Sequence, residues 1–180
     1  MDQFTKLHIW NLTEYDWILY MDCDIFILRS IVPMISRVMS SAAVLPPPKI
    51  WAVRDVYEFS DSFNMGTFMI QPSSTEFTLL LDNLHETNNQ TIPFPEEWME
   101  QGLVNAMYKN RWGEIPATEG GMHLAYWSMD RDAVWRRNAS KIQVIHFTNT
   151  KPWDWFCPWT EYAPLCYLFW NKEAMRFHKQ

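Results

Sequence analysis

Several features common in a chain of 180 residues are missing here. No run of about 18 apolar residues occurs, which excludes a membrane-spanning helix in this chain. Met1 to Lys6 is not followed by the apolar stretch that marks a secretory leader. Basic residues are outnumbered, 15 Lys and Arg against 21 Asp and Glu, leaving a formal net charge of -6. That balance excludes nucleic acid as partner, because neutralising phosphates takes a basic patch. Internal repeats and long low-complexity stretches are also absent. There is no Asp-Asp dipeptide, and cysteine is held to three residues.

What is present suits one folded domain over residues 1–180. Hydrophobic residues make up 48% and charged residues 20%, enough apolar material for a sizeable core. Tryptophan is unusually frequent, at 11 residues; its large rigid faces serve as core packing or as platforms for sugar rings. Cys157 and Cys166 are close enough in sequence to pair, which would imply an oxidising compartment, or to stand as free thiols. Asn-x-Ser/Thr sequons occur at Asn11, Asn89 and Asn138. Asn11 lies in an apolar segment expected to be buried, which makes it a poor acceptor.

The hydrophobic pattern predicts a short amphipathic helix over 4–12, with Leu7 and Trp10 on one side. Two apolar strands follow, at 17–21 and 25–28, separated by Asp22-Cys23-Asp24. Pro33 opens a helix to about Ser40, and Pro46 to Pro48 form a loop. Thr67 to Ile70 read as a strand. Ser73 or Ser74 caps a helix to about Glu86, with Glu76 as capping partner. Residues 88–95 read as loop and 96–108 as helix. Ile142 to Ile145 form a last strand ending at His146. Strands alternating with helices predict an α/β sandwich with a mostly parallel sheet.

Two constellations carry chemistry. Asp22 and Asp24 sit where ligands gather in open α/β sheets, outside the carboxyl ends of strands. Two neighbouring carboxylates repel each other unless a divalent cation joins them, and a hard cation such as Mg²⁺ or Mn²⁺ bridges a nucleotide diphosphate. Asp130 and Asp132 share the spacing but read as a solvated loop. Phosphatases that open on an Asp-x-Asp strand favour a Thr or Val where Phe26 stands and need a later acidic pair, for which no Asp-Asp dipeptide exists here, so that reading ranks third. The second constellation runs from His146 to Trp153. His146 can complete an Asp/Asp/His metal site, and Lys151 is a point charge suited to phosphate.

These segments, with two others, resemble the glycogenin-like family of retaining, metal-dependent sugar transferases, glycosyltransferase family 8. The stretch Lys6 to Tyr15 leading into Asp22-Cys23-Asp24 is similar to the approach to that family's metal motif. Phe63-Asn64-Met65-Gly66, followed by Gln71-Pro72-Ser73, resembles its Phe-Asn-Ser-Gly and Pro-Ser. Glu100-Gln101-Gly102-Leu103-Val104-Asn105 resembles its Asp-Gln-Gly-x-x-Asn. His146 to Trp153 resembles its closing His…Lys-Pro-Trp. The blocks fall in family order across residues 4–153.

The resemblance implies a GT-A-like three-layer sandwich whose amino-terminal part, which grips uridine in the family, lies outside this chain. Residues from about 154 to 180 would form a carboxy-terminal extension. Asp22, Asp24 and His146 would hold Mn²⁺ or Mg²⁺. Lys6 and Lys151 would contact the diphosphate side of a UDP-sugar, Asn149 would keep a backbone amide-to-phosphate contact, and Trp153 would belong to the substrate-binding set. Asn64, Glu100 and Gln101 would contact the donor sugar's hydroxyls, with Glu100 and Gln101 as the catalytic pair, and Gly66 would belong to the substrate-binding set. The implied reaction moves a hexosyl group, with retention, to a glycan or protein acceptor; the alternative is an inactive fragment that binds sugar or metal without turnover. A homo-oligomer is compatible with the pattern. Glu100 replaces the family's Asp, and Asn149 stands where Gly is usual. Tyr126 lies near the position of glycogenin's acceptor tyrosine without matching it. The tail from Cys157 looks more like the plant glucuronyltransferases of the family. With the cysteines and sequons it favours the Golgi lumen, through an upstream anchor, over the cytosol.

Overall fold

The computed structural model describes residues 3–41, 48–55, 61–85, 92–95, 99–121, 140–148, 151–155, 166–167 and 169–171. The chain opens with a 3-10 helix, Gln3–Asn11. Three residues per turn bring Phe4, Leu7 and Trp10 onto one line, and Leu7 and Trp10 are fully buried. The same period turns Asn11 outward, so this asparagine is exposed, contrary to the expectation of burial. Asn89 and Asn138 lie outside the described residues.

Strands β1 (Ile18–Met21), β3 (Ile50–Arg54), β4 (Phe63–Ile70) and β5 (Gly113–Ile115) form one sheet in the order β1-β4-β3-β5. β2 (Ile25–Ile27) and β6 (Val144–His146) form a separate ribbon. The sheet is mixed. β3 and β5 run parallel, whereas β1–β4, β3–β4 and β2–β6 are antiparallel. A continuous apolar run shows that a strand is buried on both faces but carries no direction.

Alternate residues along the strands feed two cores. Ile50, Ala52, Phe68 and Ile70 face Leu7 and Trp10 of the 3-10 helix, Leu80 of α2 (Ser74–His85) and Leu103 of α3 (Met99–Met107). Val53 and Met69 face Met34 and Val38 of α1 (Val32–Ser41), together with Phe26 and Ile145 of the ribbon. The result is helix, sheet and helix-plus-ribbon, the α/β sandwich expected. A four-residue helix, α4 (Ala117–Gly120), leads toward β6 through Gly121, whose φ of 94° is left-handed backbone that glycine accepts without strain.

At the start of α2, the Glu76 N–H donates to Ser73 Oγ at 3.4 Å, so Ser73 is the cap. Glu76 does not complete a capping box. The Ser73 N–H already donates to Trp10 O, and the Glu76 carboxylate instead accepts from Tyr108 Oη at 2.7 Å. Tyr108 Oη in turn accepts from Trp10 Nε1 at 2.8 Å. This buried chain ties the 3-10 helix, α2 and α3 together. Pro46, Asp130, Asp132 and Tyr126 fall outside the described residues.

Candidate metal and donor site

The acidic pair sits at the carboxyl end of β1, where the strand leaves the sheet. Backbone bonds fix both aspartates: the Asp22 N–H donates to Gly66 O at 2.8 Å, and the Phe147 N–H donates to Asp24 O at 3.1 Å. His146 ends β6, with its N–H on Gly121 O at 2.6 Å. These anchors bring one ligand atom from each of Asp22, Asp24 and His146 within 4.8 Å of one another. His146 Nε2 lies 3.3 Å from Asp24 Oδ1 and 3.8 Å from Asp22 Oδ2. Two carboxylates and an imidazole within that span suit a divalent cation.

Gly66 makes room for the imidazole. A Cβ at that position would stand 2.1 Å from His146 Cε1 and 2.4 Å from Nδ1. The glycine of the Phe-Asn-x-Gly block is therefore needed by the histidine.

Two lysines flank the carboxylates. Lys6 Nζ is 3.0 Å from Asp22 Oδ1 and 3.4 Å from Glu100 Oε1. Lys151 Nζ bonds Asp24 Oδ2 and also the Phe147 carbonyl. Burial pushes the Asp24 carboxyl up, but the hydrogen bonds and charges of His146 and Lys151 outweigh it and hold Asp24 well below the usual carboxylate range. Tyr20 Oη donates to Asp22 Oδ1 at 2.7 Å. Burial, then the bond to Asp22 and its charge, push that phenol well above its ordinary value, so it remains a donor.

Beside the cluster, Asn64 and Gln101 interlock. Gln101 Oε1 accepts from Met65 N at 3.0 Å and from Asn64 Nδ2 at 3.4 Å. Asn64 Oδ1 accepts from Gly66 N at 2.8 Å. Gln101 Nε2 donates to Asp55 Oδ2 at 3.0 Å, which sets which way the amide points. Glu100 is buried at 4% exposure, and its Oε2 has no hydrogen-bond partner. A buried acceptor without a partner is costly unless a ligand supplies a donor.

Of the residues expected in the site, Lys6, Asp22, Asp24, Asn64, Gly66, Glu100, Gln101, His146 and Lys151 come together. Trp153 lies apart, 53% exposed on the turn after Lys151. Asn149 falls outside the described residues, as does Cys157. Cys166 is buried and disulfide-bonded, whereas Cys23 is free and exposed. Two contributors escaped the sequence reading, and a third, Asn105 of the Glu100-to-Asn105 block, was given no role there. Asp55 follows β3 just as Asp22 follows β1, and the same strand-then-acid signal could have found it. Tyr20 lies inside an apolar run that hides its hydroxyl. Asn105 clamps β4 with two bonds to the backbone of Phe63, at 2.7 and 2.8 Å.

Comparison with known proteins defines the class. The family model for glycosyl transferase family 8 matches residues 1–157. Human glycogenin-2 is 28% identical over 159 residues, covering 84% of this chain and 28% of that protein. UDP-glucuronate:xylan alpha-glucuronosyltransferase 1 of Arabidopsis thaliana is 26% identical over 157 residues, covering 83% of this chain and 21% of that protein. The crystal structure of glycosyltransferase GlyE from Streptococcus pneumoniae TIGR4 superposes with a TM-score of 0.62 at 16% identity, over 95% of this chain and 46% of that one. An active-site mutant of LgtC gives a TM-score of 0.62 at 15% identity, over 94% of this chain and 66% of that one. The fold is thus that of GT-A-like glycosyltransferases. The chain belongs to glycosyl transferase family 8 and spans less than half the length of these two curated relatives.

Proposed function

We propose that the chain carries the donor site of a retaining glycosyltransferase, which moves a hexosyl group from a UDP-sugar to a glycan or protein acceptor. The observation that supports this most directly is the convergence of Asp22, Asp24 and His146 within 4.8 Å, flanked by two lysines at the carboxyl end of β1. Those three residues would hold Mn²⁺, or Mg²⁺, and the ion, when bound, offsets the charge of the diphosphate leaving group.

The remaining roles belong to the chain's own side chains. Lys6 and Lys151 now neutralise Asp22 and Asp24, and both stand ready to pair with phosphate oxygens. Glu100 Oε2 offers an acceptor to a sugar hydroxyl. Gln101 has both lone-pair directions of Oε1 and one Nε2 hydrogen engaged, which leaves one hydrogen to donate toward the sugar. Asn64 and Gly66 hold the β4 backbone beneath the sugar. Retention follows from same-face attack: the acceptor oxygen bonds to the anomeric carbon as the bond to the β-phosphate breaks, and its proton leaves with the departing phosphate.

No helix among the described residues is long and apolar enough to cross a membrane. The disulfide at Cys166 supports an oxidising compartment such as the Golgi lumen. The reading is tested by UDP release from UDP-glucose and UDP-glucuronate with Mn²⁺. Release that Asp24→Asn abolishes is expected. UDP binding without release would favour the alternative, a sugar-binding protein that does not turn over.

A further inference from the structure

Each carboxylate of the metal cluster turns one oxygen toward His146 and has the other held by a donor. Asp24 Oδ1 lies 3.3 Å from His146 Nε2, and its Oδ2 takes the Lys151 ammonium. Asp22 Oδ2 lies 3.8 Å from the same nitrogen, and its Oδ1 accepts from Tyr20 Oη at 2.7 Å. Lys6 also touches Asp22, but it straddles the carboxylate: its Nζ lies 3.0 Å from Oδ1 and 3.2 Å from Oδ2. Among the described residues, the Tyr20 hydroxyl is therefore the donor that tells the two oxygens of Asp22 apart.

The strand fixes that hydroxyl. Side chains two residues apart stand on the same face of a strand, and the Asp22 N–H on Gly66 O continues the pairing of β1 with β4. Tyr20 and Asp22 thus share a face. Tyr20 lies opposite Phe68 in the β1–β4 register, and the two rings stack with centroids 5.0 Å apart at 25°. The Lys6 ammonium lies over the Tyr20 ring, 5.2 Å from its centroid. A hydroxyl on a ring packed in this way cannot follow the carboxylate if it turns, whereas an ammonium on its flexible four-carbon stem can.

Whether a carboxylate offers one oxygen or two matters to a cation. With one oxygen committed to a donor, it offers the other alone, which suits the octahedral shell of a small ion such as Mg²⁺. Mn²⁺ takes the same shell and binds imidazole as well. The larger Ca²⁺ collects about 6–8 oxygens and readily takes both from one carboxylate. Asp22, Asp24 and His146 bring one ligand atom each within 4.8 Å of one another, and the donors on the far oxygens keep the count at one per carboxylate.

We propose that Tyr20 is a positioning residue that sets the metal preference of the site: its hydroxyl keeps Asp22 a one-oxygen ligand and so favours Mn²⁺ or Mg²⁺ over Ca²⁺. This rests on the reading of Asp22, Asp24 and His146 as a metal site. The test is calorimetric titration with Mn²⁺ and, separately, with Ca²⁺, on wild type, Tyr20→Phe and Lys6→Met, with thermal unfolding of each. Tyr20→Phe keeps the ring and its stack on Phe68 and removes the hydroxyl alone, so the fold is retained. Wild type should bind Mn²⁺ more tightly than Ca²⁺. In Tyr20→Phe, Mn²⁺ affinity should fall about tenfold, the loss expected when a group that orients a ligand is removed, while Ca²⁺ affinity holds or rises. The ratio of the two affinities then narrows at least about tenfold. Lys6→Met frees both oxygens of Asp22 alike, so it should shift the two affinities together and leave the ratio near its wild-type value. A merely structural role for Tyr20 would weaken both ions equally. That result, a ratio that narrows as much in Lys6→Met, or a wild type that binds Ca²⁺ as tightly as Mn²⁺, overturns the role of Tyr20 and leaves the metal site standing. Wild-type protein that binds neither ion sinks the metal site itself, and the role of Tyr20 with it.

Discussion

Replacing Gly66 with alanine should disable the metal site without touching a ligand. The new Cβ would stand 2.1 Å from His146 Cε1, and ordinary carbon contact begins near about 3.5 Å. The imidazole must therefore withdraw by more than about 1 Å, well beyond the ~0.5 Å tolerance of a working site. It cannot carry its backbone along, because the His146 N–H is held by Gly121 O at 2.6 Å and the residue pairs with Ile25 across the ribbon. Its side chain is only 6% exposed, so free space around it is scarce. We expect Mn²⁺ affinity to fall about 10–100-fold, the range seen when a ligand's support is removed. The overpacking itself should cost about 1–3 kcal/mol of stability. Calorimetric Mn²⁺ titration and thermal unfolding read the two effects separately. His146→Ala removes the clashing ring, so Gly66→Ala made on that background should cause little further loss. Wild-type Mn²⁺ affinity in Gly66→Ala would refute the steric argument.

Other expectations follow from the same contacts. Tyr108→Phe leaves Trp10 Nε1 and Glu76 Oε2 without their shared partner and should cost about 1–3 kcal/mol in denaturant unfolding. Burial, and next the Glu76 charge, push the Tyr108 phenol well above its ordinary value. The folded state therefore favours the neutral form. Its stability contribution is complete below about pH 10, the unfolded value, and is lost as pH rises further; Tyr108→Phe should flatten that decline. Asn105→Ala unpairs both backbone groups of Phe63 and should cost about 1–3 kcal/mol, measured the same way. Asp55→Ala removes the acceptor that orients Gln101, so it should weaken UDP-sugar binding while leaving UDP binding intact, a split that competition titration reveals.

The convergence of Asp22, Asp24 and His146 was legible because three local signals coincide: an acidic pair between apolar runs, a histidine at a strand end, and a lysine five residues later. The helix after Pro33 and the strand over residues 67–70 were readable for similar reasons. Strand direction was not, since Ile18 to Met21 carry the same apolar pattern whichever way a neighbour runs. β5 is three residues long, too short for any periodicity. β3 was passed over although Ile50 to Val53 are apolar, and Asp55 was missed with it. The interlock of Asn64 with Gln101 joins residues 37 apart, a pairing that only the packing of α3 against β4 creates.

The central claim is that Asp22, Asp24 and His146 form a metal-assisted nucleotide-diphosphate site, and isothermal titration of UDP with and without Mn²⁺ tests it most directly. The account predicts binding that needs Mn²⁺ and that Asp24→Asn abolishes. Binding of equal strength without the metal, or unchanged in Asp24→Asn, would contradict it.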